Sequence, residues 1–296
     1  CMKKQALFCD GTGSYVIPPE PKCNQMVTLR FRTAKDDVQR VCLVTDAGSY
    51  EMEKKESKGE FDYYAIEWRL GEENFSYCFE IQDQESVCYY NQCGTAKEIV
   101  EFYNFVIAPG FSTPDWAKGA VMYQIYTDRF CNGDPSNDVE TNEYYYIGGY
   151  SSRVTNWDKY PAAMGVREFY GGDIRGVLEK LDYLQDLGVE VLYFNPLFVS
   201  PSNHKYDIQD YDYIDPHYGV IVEDGGEVLA DGETDNAKAT KYQKRTTDIR
   251  NLEASNQLFI EFVEEIHRRG MKIILDGVFN HCGSFNKWMD RERIYE

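Results

Sequence analysis

Across residues 25–106, apolar and polar positions alternate in short runs. Val27, Leu29 and Phe31 stand against Thr28, Arg30 and Arg32, and VQRVCLVTD, FDYYAIEWRL, FSYCFEI and FYNFVIA follow. A period of two puts every second side chain on one face, as in half-buried strands. Turn-formers such as Asp46-Ala47-Gly48-Ser49 and Gly71-Glu72-Glu73-Asn74 separate the runs, so the spacing predicts an antiparallel β-sandwich. Farther along, the period changes. Leu258, Phe259, Phe262, Val263 and Ile266 recur at helical spacing, with Ser255 as the cap and Gly270 as the stop behind Arg268 and Arg269. MKIIL, ending at Leu275, then reads as a buried strand. The same cadence comes earlier: Val177, Leu178, Leu181, Leu184 and Leu187, then Gly188, then the strand VEVLYFN ending at Asn195. AVMYQIYTDRF, residues 120–130, reads as the strand that opens this half. Alternating helix and strand predict a parallel sheet. Between the two regimes lies APGFSTPDW, residues 108–116, whose two prolines and glycine stop a strand. The expected division is a sandwich over 1–112 and an α/β unit over 113–296.

Two stretches carry no periodicity. One is a polar loop of more than thirty residues before the helix that begins near Asp173, a length at which loops in compact domains are usually functional or disordered. The other, residues 220–250, contains Gly225, Gly226 and Gly232, with an acidic first half and a basic second half. It reads as a solvated surface insertion ahead of a substrate lid.

A chain of 296 residues suffices for two such units. Its formal charge of −19, with no basic stripe, argues against nucleic acid and anionic membrane as partners. No apolar run approaches the roughly 20 residues of a membrane span. The start, CMKKQALFCDGTG, lacks the apolar centre of a signal peptide. Nine cysteines without a CxxC pair indicate neither a disulfide framework nor a four-cysteine zinc site, so reduced thiols in a cytoplasmic protein are expected. Tyrosine is abundant at 24 residues, which suits sugar stacking and aromatic cores equally.

Three constellations offer chemistry. In Asn132-Gly133-Asp134-Pro135-Ser136-Asn137-Asp138, joined later by Gly171-Gly172-Asp173, two carboxylates and two amide carbonyls lie within seven residues. Hard cations take such oxygens, although the same residue types make an ordinary turn and the spacing is not that of an EF-hand. The second constellation is Asn203-His204-Lys205-Tyr206-Asp207, beyond the carboxyl end of the strand that finishes at Asn195, the side on which α/β sheets meet their ligands. The third is Asp276, Asn280 and His281, three polar groups crowding the end of an apolar strand.

AVMYQIYTDRF, LGVEVLYFNPLF, SNHKYDIQDYDYIDPHYG and MKIILDGVFNH, in this order, resemble the α-amylase superfamily of retaining glycoside hydrolases, most closely its cyclomaltodextrinase, neopullulanase and maltogenic amylase group. The resemblance implies a TIM (β/α)8 barrel of which this chain carries about three βα units behind the sandwich. It implies cleavage of α-1,4 bonds, with α-1,6 as an open alternative, in cyclodextrins, pullulan or maltooligosaccharides. His281 would hydrogen-bond the sugar, Tyr206 would stack on it with His204 nearby, and Asp276 and Asn280 would hold the end of the third barrel strand. Asn132, Asp134, Asn137, Asp138, the Gly171 carbonyl and Asp173 would hold a structural calcium. A homodimer is implied, because in that group the sandwich docks over a partner's active site.

The chain departs from the pattern in one respect. Retaining hydrolysis needs a nucleophile and an acid about 5–5.5 Å apart. In this family they stand in GxRxD and lone-Glu motifs, followed by an HD pair, and none of these occurs here. Three strands also fall short of the eight that close a barrel. The expectation is therefore the amino-terminal part of a longer enzyme, inactive by itself, with no catalytic residue in this chain. The rival is a non-catalytic α-glucan-binding or assembly protein with a degenerate partial barrel.

Overall fold

The structure, a computed structural model, describes residues 2–295. The chain divides between Lys118 and Gly119 into two compact units.

The first unit is an antiparallel sandwich. One sheet runs β1 (Val16–Ile17), β2 (Met26–Ala34), β6 (Phe61–Arg69), β5 (Glu53–Lys58). The other runs β4 (Gly48–Glu51), β3 (Arg40–Thr45), β7 (Phe75–Gln82), β8 (Val87–Asn91), β9 (Gly94–Ala96), and β10 (Phe105–Ile107) pairs with the start of β7. The alternation read from β2 is the packing itself: Val27, Leu29 and Phe31 are buried, and the intervening residues are half-buried. Phe31 meets Phe79 of the facing sheet with ring centroids 4.6 Å apart. Each such side chain contributes on the order of 1.5–3 kcal/mol by leaving water. Strand β5, EKKESK, has every residue exposed and gave no apolar pattern to read. Its charges suit an edge strand, where they discourage pairing with other chains. FYNFVIA contributes only Phe105–Ile107 to the sheet; Phe102 sits in a 3-10 turn and is exposed.

The second unit is built on three parallel strands in the order β11 (Met122–Ile125), β12 (Val191–Phe194), β13 (Lys272–Leu275). Ile125, Phe194 and Leu275 lie level at their carboxyl ends. Helices α1 (Ile174–Glu179) and α2 (Leu181–Asp186) lead into β12, and α3 (Thr240–Thr247) and α4 (Ile249–Arg268) lead into β13. Ile174, Val177, Leu181 and Leu184 pack with Leu258, Phe262 and Ile266 of α4 and with Leu192 and Phe194 of the sheet. Leu187 leaves this face because α2 has ended at Asp186, and it is 54% exposed. α4 starts six residues before Ser255: Asp248 is the cap, its carboxylate accepting from Arg250 N. Ser255 instead bonds back to the Asn251 carbonyl at 2.8 Å inside the helix.

The two unpatterned stretches share a small core of their own. Tyr144, Tyr146 and Phe169 from the loop after β11 pack with Leu229, Ala239 and Tyr242 from residues 220–250, and with Phe285. The second stretch is solvated only in part: residues 222–232 are mostly exposed, whereas Asn236, Tyr242 and Arg245 are buried. Hydrogen bonds to distant partners compensate the burial of its polar groups.

Candidate functional site

The carboxyl ends of the three strands carry the polar groups. Ladder bonds continue one residue past β12 and β13, with Asn195 N donating to the Ile125 carbonyl at 3.0 Å and Asp276 N to the Phe194 carbonyl at 3.1 Å. Asp276 is thereby fixed at the rim of the sheet. The loop after β12 returns to it: the Tyr206 hydroxyl donates to Asp276 Oδ2 at 2.7 Å. Burial, and then this carboxylate, push the Tyr206 phenol up to about 12, so it stays protonated as the donor.

His204 stands beside Tyr206, ring centroids 6.0 Å apart and planes tilted by 31°. Its Nδ1 accepts from Tyr206 N at 3.1 Å, which places the ring proton of the neutral form on Nε2. Burial pulls the His204 pKa down. A neutral ring with a fixed tautomer offers one N–H donor to a ligand hydroxyl.

The structure joins His204, Tyr206 and Asp276. His281 stays apart from them: its ring is exposed, its Nδ1 lies 3.0 Å from Asn280 Nδ2, and its carbonyl accepts from the Tyr211 hydroxyl at 2.9 Å. Asp207 accepts from the hydroxyls of Tyr146, Ser200 and Ser202, so its carboxylate is engaged in holding the loop.

A buried charge network beneath this loop went unread in the sequence. Lys205 Nζ donates to Asp215 Oδ2 at 2.8 Å; His217 lies between Asp215 Oδ1 at 2.8 Å and Glu143 Oε1 at 2.7 Å; Glu143 Oε2 accepts from Arg245 at 3.0 Å. All five side chains are nearly or fully buried. Burial alone would discharge the His217 ring, but the carboxylates of Glu143 and Asp215 outweigh it and raise its pKa to about 9. Burial works against the Asp215 carboxylate too, yet Lys205 and then His217 hold it far below the usual range. Asp215 and His217 sit in the IDPHYG motif; Glu143 and Arg245 have no local signature.

The oxygen-rich loop after β11 is ordered around Asp173, which caps α1. Its carboxylate accepts from Gly133 N, Asp134 N, Gly176 N and Asn137 Nδ2 at 2.7–3.1 Å. Asp138 accepts from Asn132 Nδ2 at 2.7 Å and pairs with Arg153 at 2.6 Å. Burial pushes Asp138 up to about 6 against both partners, and also raises Asp173. Asn132 Oδ1 and Asn137 Oδ1 are buried without a hydrogen-bond partner. Gly171 has φ +83°, and a Cβ there would collide with Asp138 and Asn132, so its backbone lies directly against the loop. Orphaned amide oxygens beside carboxylates that burial disfavours are what an oxygen-seeking cation relieves, so the residues fit calcium. Among the described residues no three acidic, histidine or cysteine side chains converge on one point. Amide and carbonyl oxygens would therefore make up much of the shell.

Comparison with known proteins gives the family of both units. The alpha amylase catalytic domain matches residues 124–230 and 241–295, and the alpha amylase N-terminal ig-like domain matches residues 2–108. Neopullulanase 2 of Thermoactinomyces vulgaris is 34% identical over 95% of this chain and 42% of its own length. The cyclomaltodextrinase of Thermoanaerobacter pseudethanolicus is 31% identical over 95% and 43%. The solved structure of the type III pullulan hydrolase from Thermococcus kodakarensis superposes with a TM-score of 0.51 at 27% identity, covering 95% of this chain and 42% of that one. The chain thus spans less than half the length of these relatives. With the ig-like sandwich in front and the first three strands of the catalytic barrel behind it, the chain belongs to the alpha-amylase family.

Proposed function

We propose that this chain forms one wall of an α-glucan site in a retaining glycoside hydrolase acting on cyclodextrins, pullulan or maltooligosaccharides. The observation that carries the reading is the Tyr206–Asp276 bond at the strand ends. The bond fixes the orientation of an aromatic ring on the ligand side of the barrel, and a ring held in place stacks on a sugar without first losing side-chain freedom. His204 supplies its Nε2–H beside that ring, and His281 is exposed to reach a sugar hydroxyl. The names of the relatives, neopullulanase and cyclomaltodextrinase, support the substrate class.

In the proposed site neither carboxylate of this wall acts as nucleophile or acid, and their hydrogen bonds support a holding role instead. Asp207 holds three hydroxyls and Asp276 holds Tyr206. In this reading the 296-residue chain binds glucan and does not hydrolyse it. The rival, a glucan-binding protein without chemistry, shares that expectation and parts from it only in a longer chain.

Calcium, held by Asn132, Asp134, Asn137, Asp138, the Gly171 carbonyl and Asp173, would supply positive charge that ties the loop after β11 to the start of α1. Homodimers and a cytoplasmic location complete the reading. Every cysteine among the described residues is a free thiol, no helix among them is long and apolar enough to cross a membrane, and one relative is named an intracellular maltogenic amylase.

Titration of the chain with β-cyclodextrin, with reducing-sugar release measured in parallel, tests the proposal. Binding that Tyr206→Ala weakens at least tenfold, without turnover, is expected. Turnover by the purified chain would overturn the inactivity, and affinity unchanged in Tyr206→Ala would overturn the site.

A further inference from the structure

Taking Tyr206 as the ring that meets the sugar, as proposed above, its two chain neighbours are both held by groups from outside their own loop. Lys205 adopts a left-handed φ of 58°, which a side chain rarely takes unless its surroundings enforce it. Its buried Nζ donates to Asp215 at 2.8 Å and to the Ser200 carbonyl at 3.1 Å. From Asp215 the chain of charges passes through His217 and Glu143 to Arg245 on α3. On the other side, Asp207 accepts from the Tyr146 hydroxyl. The backbone next to Tyr146 is pinned in turn: Asn236 Oδ1 accepts from Tyr145 N and Asn236 Nδ2 donates to the Tyr145 carbonyl, both at 2.9 Å.

The two routes meet in the turn itself. Ser202 Oγ donates to Asp207 and accepts from Lys205 N at 3.0 Å. Both routes begin in the 220–250 excursion, one at Arg245 and the other at Asn236. Asn236 falls within residues 231–240, which lie outside the matched parts of the catalytic domain. A lid would cover the ligand with mobile, sparsely bonded chain. Here the second half of the excursion is anchored: Asn236, Ala239, Tyr242 and Arg245 are buried, and Ala239 and Tyr242 pack in one cluster with Tyr144 and Tyr146.

We propose that Tyr146 and Asn236 are positioning residues for the glucan site. The excursion is a brace that holds the turn 204–207, so that the Tyr206 ring is presented to an α-glucan in one orientation. A first shell set by packed, hydrogen-bonded supports is more exact than one left on a free loop.

Tyr146→Phe removes a single hydroxyl and keeps the ring that packs 5.6 Å from Phe285, so this variant keeps its core. Asn236→Ala cuts the same route one step farther back. Amide hydrogen exchange in the 296-residue chain reads the brace directly. The amides of Lys205 and Tyr206 are expected to exchange about tenfold faster or more in both variants, while those of α4 keep their wild-type rates. Unchanged exchange at 205 and 206 in Tyr146→Phe, or equal acceleration throughout α4, would overturn the brace. Below the melting range, Tyr146→Phe should also bind β-cyclodextrin at least about fivefold more weakly, whereas a variant that had merely lost stability would keep its affinity; wild-type affinity in Tyr146→Phe would count against the proposal. Should the wild-type chain bind no β-cyclodextrin, the sugar reading falls, and the exchange rates still decide the brace.

Discussion

Raising the pH should destabilise the second unit through one side chain. Both ring nitrogens of His217 face carboxylates, Asp215 at 2.8 Å and Glu143 at 2.7 Å, so only the imidazolium can donate to both. Lys205 stands behind Asp215 and Arg245 behind Glu143, so the two carboxylates remain ionised. The ring titrates near 9 when folded and near 6.5 when unfolded. A folded pKa above the unfolded one means stability that is complete below about pH 6.5 and disappears as pH climbs through 9. At about 1.4 kcal/mol per pH unit, the interval amounts to roughly 3 kcal/mol. With a urea slope of about 2 kcal/mol/M, the unfolding midpoint should fall by roughly 1.5 M between pH 6.5 and 9.5.

Buried thiols enter only the upper end of that window. Burial carries the Cys9 thiol up to about 12 and Cys78 to about 11, so above about pH 8.5 the unfolded chain ionises them first and stability falls with them; the drop from pH 6.5 to 8.5 is the part that reports His217. The His204 pKa moves down, so its contribution falls on the acid side. Urea melts followed by circular dichroism at pH 6.5, 7.5, 8.5 and 9.5 give the measurement. His217→Gln should be less stable at pH 6.5 by about 3–5 kcal/mol, having left two buried carboxylates short of a partner, and should lose most of the slope between about pH 6.5 and 8.5. A midpoint that is flat or rising from pH 6.5 to 9.5 in the wild-type chain would refute the imidazolium.

Two further outcomes follow from the loop after β11. Calcium in hundredfold excess over its dissociation constant should stabilise the chain by about 2.7 kcal/mol, a rise in Tm of roughly 5–10 °C that a chelator reverses and that Asn137→Leu abolishes; a Tm indifferent to chelator contradicts the site. Gly176→Ala should cost about 1–3 kcal/mol in urea melts, because its Cβ would overlap the Cys131 carbonyl where α1 crosses the loop, and an unchanged midpoint would show that the crossing is looser than it looks.

What could be read from the sequence was whatever repeats locally. The alternation of Val27, Leu29 and Phe31 and the glycine-strand cadence at Gly188 and Gly270 need only near neighbours to state their meaning, and β2, β12 and β13 form where they point; but β13 is not the buried strand its apolar run predicts, because it lies at the edge of the three-stranded sheet, with Ile273 and Ile274 half-buried and Leu275 exposed. Strand β5 has no apolar face to announce it. The start of α4 was hidden because buried Asn251 and Ser255 interrupt its apolar stripe, though Asp248 was present as a cap signal. Arg245 is the extreme case: its partners, Asp138 and Glu143, lie 107 and 102 positions away, so nothing nearby marks a basic residue in a polar stretch as buried.

The same division separates the site from its support. Tyr206, His204 and Asp276, the proposed ligand-facing groups, could be named from short motifs because a barrel meets its ligands just past the ends of its strands. Their orientation could not be, because it depends on Tyr146, Glu143 and Asn236, none of which lies in a recognised motif. A buried ion pair is weak evidence for stability, since desolvating two charges offsets much of their attraction. It is better evidence for register: Lys205 cannot leave its left-handed turn without stranding Asp215, and Asp215 cannot move without stranding His217. The network therefore restricts the loop to one arrangement even where it adds little net stability, which is the property a stacking ring requires of the chain beneath it.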